Sequence, residues 1–173
     1  MPNCAERFFS PEETLNLFAI DPGVGGGIAY IDTDGSVHAL SMPQTDRDIC
    51  DQLQVLALAG GKPATCYIEE LPKFGGVMSR SAMFTMARNY GLLLGILTAY
   101  RVRVVQISPK RWQGVLGGLG NKADHGADWK RRLKARAQEL YPALDVTLKT
   151  ADALLILEVA RQLEGRFEKQ ISR

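Results

Sequence analysis

The segment Thr150-Ala-Asp-Ala-Leu-Leu-Ile-Leu157 constrains the fold more than any other, because six of the seven residues after Thr150 are apolar. A helix without a polar face has to be enclosed by other elements. The spacing predicts a deeply buried final helix from Ala151 to about Gly165, capped by Thr150 and carrying Asp152 in its first turn. A chain of 173 residues with 46% hydrophobic and 23% charged residues is large enough to enclose it and has the composition of a soluble globular protein. One domain over 1–173 is expected, with 1–16 as an N-terminal extension. No apolar run approaches the 18 or so residues of a membrane span, and Gly91 and Gly95 interrupt the longest candidate helix. Met1 to Glu13 lacks the basic-then-apolar pattern of a signal peptide. Three cysteines, Cys4, Cys50 and Cys66, without C-x-x-C spacing argue against a disulfide framework or zinc ribbon and suit a reducing cytoplasm.

The elements that would enclose this helix can be read in order. Leu17 to Ile20 is an apolar run ending in Asp21-Pro22-Gly23, a strand and turn. Ile28 to Ile31 and Val37 to Leu40, separated by Asp34-Gly35, complete a three-stranded antiparallel meander. Ile49, Leu53 and Leu56 give Asp48–Leu58 helical spacing, stopped at Gly60-Gly61-Lys62-Pro63. Thr65–Ile68 is a fourth strand with Glu69-Glu70 at its end, and 71–78 is a loop. Ser79 can cap a long helix to about Tyr100, on which Ala87, Gly91, Gly95 and Ala99 form a shallow stripe where another helix, intramolecular or from a second subunit, could approach. Val102–Ile107 is a fifth strand, and Pro109 starts a short helix carrying Trp112. Gly114 to Gly120, with four glycines, is expected to be mobile. Trp129, Leu133, Ala137 and Leu140 face one side of a further helix that Pro142 ends, and a strand-like segment precedes Thr150. Trp112 and Trp129 read as packing residues. The order predicts an α/β fold, a mixed sheet sandwiched by helices.

Charge is unevenly divided. From Arg101 to Arg136 there are ten Lys or Arg against two Asp, a net +8, while the remainder holds eleven basic and seventeen acidic residues, a net −6. A solvated helix face explains such a run by itself, and a surface for a polyanion also does.

Several chemistries are excluded. Gly23-Val-Gly25 has Ile28 where a dinucleotide fingerprint needs glycine, and Gly61-Lys62 is followed by Pro63, so there is no P-loop. With only His38 and His125, neither H-E-x-x-H nor a G-x-S-x-G elbow is present. Carboxylates at the ends of buried elements remain: Asp21, Glu69 and Asp152. Parallel strands open a ligand crevice at their carboxyl ends, and three anions gathered there call for a divalent cation such as Mg²⁺. Two such ions about 4 Å apart activate water and stabilise the leaving oxygen in phosphodiester cleavage. Each residue also has a plainer reading: Asp21 as a turn residue, Asp152 as a helix-dipole partner, Glu69-Glu70 as exposed charges.

Phe18-Ala-Ile-Asp21-Pro-Gly23 with its glycine-rich turn, Tyr67-Ile-Glu69-Glu and Ala151-Asp152-Ala-Leu-Leu-Ile together resemble the RuvC family of Holliday-junction resolvases, chiefly its phage-type and chloroplast-type relatives. Asn89-Tyr-Gly91, Pro109-Lys-Arg-Trp112-Gln113 and Leu140-Tyr-Pro142 are similar too, so the resemblance spans about Leu17 to Gly165. It implies a ribonuclease H-like five-stranded mixed sheet flanked by helices, and a homodimer that nicks four-way DNA junctions with Mg²⁺ or Mn²⁺, two ions per site. Asp21, Glu69 and Asp152 match its metal-binding acids, Glu69 being preferred to Glu70 because it directly follows the apolar strand. Bacterial members place an acid or histidine one turn before the last aspartate, where this chain has Lys149. Lys149 then contacts the scissile phosphate itself, or Asp145 substitutes, or activity is reduced. The resemblance also implies a junction-wedging residue after Glu69, matched in type by Phe74 beside Lys73; a loop-anchoring aromatic is the plainer reading. Arg80, Lys110, Lys122, Lys130, Arg131 and Lys134 are candidate phosphate contacts, Lys122 alternatively lying near the scissile phosphate. Two rivals stand beside the nuclease: a junction-binding relative with damaged catalysis, motivated by Lys149, and a small ATP-binding protein of actin or sugar-kinase type.

Overall fold

The computed structural model describes residues 16–171 except 62, 72–78 and 121. Its strands are β1 (Leu17–Asp21), β2 (Gly27–Ile31), β3 (Val37–Ser41), β4 (Thr65–Glu69) and β5 (Arg103–Ile107). They form one sheet in the order β3-β2-β1-β4-β5. The first three strands pair antiparallel, whereas β1 with β4 and β4 with β5 are parallel.

Alternation along the two central strands sorts their side chains between two cores. Phe18, Ile20, Cys66 and Ile68 point to one face, where α1 (Asp46–Leu58) and α2 (Arg80–Ala99) cover them with Leu53, Leu93 and Leu97. Leu17, Ala19 and Tyr67 point to the other. There they meet α3 (Pro109–Leu116), α5 (Trp129–Leu140) and α6 (Ala151–Ile171). Ala19 and Ala29, both fully buried, leave room for α6 to lie against β1 and β2. The apolar run Ala153–Leu157 is inaccessible on every side because the sheet lies beneath it and α5 and α3 flank it.

Side-chain caps fix where the helices begin. Thr45 accepts from Asp48 N, Ser79 from Ala82 N and Ser108 from Arg111 N. Ahead of α6 the expected cap at Thr150 is a reciprocal pair instead. Thr147 Oγ1 accepts from Thr150 N at 3.2 Å, and Thr150 Oγ1 accepts from Thr147 N at 3.0 Å. The two hydroxyls thus satisfy each other's backbone donors in the manner of a capping box. α6 runs past Gly165 to Ile171, since one helical glycine costs only about 1 kcal/mol and no breaker follows it.

One further expectation is corrected. The segment before Thr150 is a series of turns with Val146 buried, not a strand, its backbone being tied by Gln138 to Tyr141 O, Leu144 O and Val146 N. The glycine-rich stretch 114–120 makes contacts with the rest of the fold. α3 continues to Leu116, Leu119 is buried, and Arg132 Nε donates to its carbonyl at 2.5 Å. A short helix α4 (Lys122–His125) follows, its His125 stacked on Trp129. Cys50 and Cys66 are free thiols.

Candidate active site

Strand parity brings the predicted carboxylates together. Ile20 pairs with Ile68, so Asp21 and Glu69 are the next residues on adjacent parallel strands, both at carboxyl ends. Asp21 follows the parity of Leu17 and Ala19, and Glu69 that of Tyr67, so both belong to the α6 face. Asp152 meets them from the first turn of α6 and is itself buried. Close backbone approach at Gly26 and Gly27 makes this possible. A Cβ on Gly26 would stand 2.1 Å from Asp21 O, and one on Gly27 would stand 2.7 Å from both Leu40 O and Lys149 O. No side chain fits between the start of β2 and the segment leading into α6.

The electrostatics follow from this gathering. Burial first, and then the charges of Asp152 and Glu69, push the Asp21 carboxyl up to about 7 against the opposing charge of Lys130. Burial also raises Glu69, against the hydrogen bond from Trp112 and the charges of Lys130 and Lys122. That bond runs from Trp112 Nε1 to Glu69 Oε2 at 2.7 Å. Lys130 Nζ donates to Asp152 Oδ2 at 2.5 Å. Burial works against its charged form, but Asp152, Asp21 and Glu69 outweigh that and leave its pKa above the ordinary lysine value.

The donor chemistry suits a hard divalent cation. Three carboxylates supply only oxygen, and Asp152 Oδ1, fully buried, has no hydrogen-bond partner among the described residues. The side chains do not form a closed cage as they stand: among the described residues no three His, Cys, Asp or Glu are grouped to hold one ion. The neighbour that Asp152 has instead is the Lys130 ammonium.

The other sequence-predicted residues are dispersed. Lys149 is exposed, Asp145 is exposed, and neither is among the groups acting on Asp21. Lys110 and Lys122 are exposed, the latter acting on Glu69, and Lys134 is half-buried. Arg131 is paired with Asp128 at 3.0 Å, and Arg80 is exposed at the start of α2. Lys73 and Phe74 lie outside the described residues. A cleft of about 140 Å³ lined by Gly23, Gln44, Arg88 and Asn89 contains none of the three carboxylates.

Two contacts go beyond the sequence pattern. Trp112 packs as expected, but a buried indole N–H requires an acceptor, and Glu69 is that acceptor. Lys130, a candidate phosphate contact in the sequence, also reaches Asp152. Its position three residues before Leu133 and seven before Ala137 puts it along the buried stripe of α5, and that spacing was the available signal.

No protein-family model matches the sequence, and no curated protein does. Solved structures do resemble this one. Thermus thermophilus RuvC in complex with a Holliday junction substrate superposes with a TM-score of 0.51 at 16% identity, covering 83% of this chain and 90% of that one. A second Thermus thermophilus RuvC structure gives a TM-score of 0.51 at 18% identity, covering 88% and 96%. The architecture is thus the ribonuclease H-like fold, a mixed five-stranded sheet flanked by helices. Both of these similar structures are of RuvC. No helix among the described residues is long and apolar enough to cross a membrane.

Proposed function

We propose that this chain is a cytoplasmic, metal-dependent endodeoxyribonuclease that resolves four-way DNA junctions as a homodimer. The observation that carries the reading is the convergence of Asp21, Glu69 and buried Asp152, one oxygen of which lacks a partner, on a RuvC-like fold. Asp21, Glu69 and Asp152 would hold Mg²⁺ or Mn²⁺, two ions per site. The chemistry supplied by the bound ions is activation of water for in-line attack and stabilisation of the leaving oxygen. Trp112 fixes the Glu69 carboxylate through its indole N–H. Lys122 places a cation beside Glu69, suited to a backbone phosphate. Arg80, Lys110, Lys130, Arg131 and Lys134 would position DNA through its backbone, with Lys73 and Phe74 supplying the junction contact and Lys149 a further cation ahead of α6.

Dimer formation is supported by α2, whose first two turns expose Met83 and Phe84. Ala87, Gly91, Gly95 and Ala99 on the same helix are also exposed, and a Cβ on Gly91 or Gly95 would meet nothing within 4 Å.

A second reading, a junction-binding module with impaired catalysis, is favoured by Lys149 standing where the family has an acid or histidine. Incubating a labelled four-way junction and a matched linear duplex with Mg²⁺ or Mn²⁺ separates the two. Paired nicks in the junction alone support the nuclease. Binding without cleavage under either metal supports the module, and neither binding nor cleavage refutes both.

A further inference from the structure

The Asp152 side chain is only 6% exposed, yet its charge is met by one contact, the Lys130 ammonium on Oδ2. Oδ1 is buried and has no hydrogen-bond partner among the described residues. The same ammonium acts on Asp21 and Glu69, the latter also feeling Lys122, so Lys130 is a cation shared by all three acids. Removing one member of a buried ion pair leaves an uncompensated charge, which is strongly destabilising. Lys130 therefore explains how the fold tolerates three gathered carboxylates. Its hold is easily released, however. The Lys130 side chain is 58% exposed, on a flexible four-carbon stem, and it leaves half of the Asp152 carboxylate unsatisfied.

We infer that Lys130 is a tethered counter-ion that holds Asp152 when no metal is bound and competes with a divalent cation for it, so that cation binding requires the ammonium to swing out. The inference rests on the nuclease reading, since it assumes that Asp152 is a metal ligand. It assigns Lys130 a role toward the metal that a structural α5–α6 salt bridge would not have. A purely structural pair predicts the same metal affinity with or without the lysine; a competing pair predicts tighter metal binding once the lysine is gone.

Isothermal titration of Mn²⁺ into the metal-free full-length chain tests this, with Lys130→Met, Lys130→Arg and Asp152→Asn measured alongside the unsubstituted protein. Lys130→Met, which keeps the stem and removes the charge, should bind Mn²⁺ about tenfold more tightly, equivalent to about 1.4 kcal/mol of lost competition. Lys130→Arg should bind no more tightly than the unsubstituted protein, and Asp152→Asn more weakly. Thermal unfolding of the same samples should show Lys130→Met less stable without metal and recovering with Mn²⁺. If Lys130→Met binds Mn²⁺ equally or more weakly while Asp152→Asn loses binding, the tethered counter-ion is overturned and the metal site stands. If no form binds Mn²⁺, or Asp152→Asn binds unchanged, the metal-nuclease reading falls and this inference with it.

Discussion

Asp21 is the residue at which fold and chemistry are most directly coupled. Its carboxyl ordinarily titrates at 3.8, and in the fold it is pushed up to about 7. Across that interval the folded protein binds a proton that the unfolded chain has already lost, so stability falls as pH rises. Glu69, also raised, acts in the same direction. Without metal, the thermal midpoint should therefore fall from pH 5 to pH 8, and Asp21→Asn should flatten the fall. A midpoint that rises over this range and is indifferent to Asp21→Asn would contradict the clustering. Trp112→Phe removes the donor to Glu69, a hydrogen bond to a charged acceptor worth about 1.5–3 kcal/mol. Denaturant unfolding should register at least that loss, and the pH profile of cleavage should shift upward because the indole no longer lowers the Glu69 pKa. At this scale the acids were legible in the sequence, since each ends a strand or opens a buried helix. Their indole and ammonium neighbours are legible only in part: the spacing of Lys130 along α5 carries a signal, but which acid Trp112 and Lys130 meet is decided by the tertiary packing of α3 and α5.

Elements explain why the sheet could be read and the loops could not. Period-two alternation in β1 and β4 sends Phe18 and Ile68 one way and Leu17 and Tyr67 the other, and that signal is local to each strand. The turns before α6 are held instead by Gln138, six residues or more from two of the groups it bonds, a dependence no local pattern carries. The end of α2 shows a device that is local but cryptic. Val102 N donates to Leu97 O at 2.9 Å and Arg101 N to Thr98 O at 3.0 Å, the paired bonds of a Schellman motif. Arg101 occupies the left-handed position, with φ 56°, where a side chain costs about 1–2 kcal/mol. Arg101→Gly should accordingly stabilise the protein by about 1 kcal/mol, raising the thermal midpoint by about 2–4 °C. An unchanged or lower midpoint would show that the arginine makes compensating contacts.

For the whole molecule, the division of charge in the chain has a spatial meaning. Arg103 and Arg136 are taken up in pairs with Glu164 and Glu139, and Arg132 with a backbone carbonyl. Lys110, Arg111 and Lys122 are left exposed around the elements that carry Trp112 and flank Glu69. Part of the +8 segment is therefore structural and part is available to a polyanion. On the opposite layer, α2 presents its open stripe. Light scattering should give a dimer mass for the unsubstituted chain and a monomer mass for Gly95→Glu with unchanged helical content; a monomer throughout would exclude this stripe as a subunit contact. The proposal that joins both layers is that Asp21, Glu69 and Asp152 cut a bound junction. Its most direct test is single-turnover cleavage of a labelled four-way junction with Mn²⁺ by the unsubstituted protein and by Asp152→Asn, with junction binding measured on the same samples. Paired nicks by the first, a fall of at least about a hundredfold in the second and binding retained in both is the predicted result. Undiminished cleavage by Asp152→Asn would contradict it.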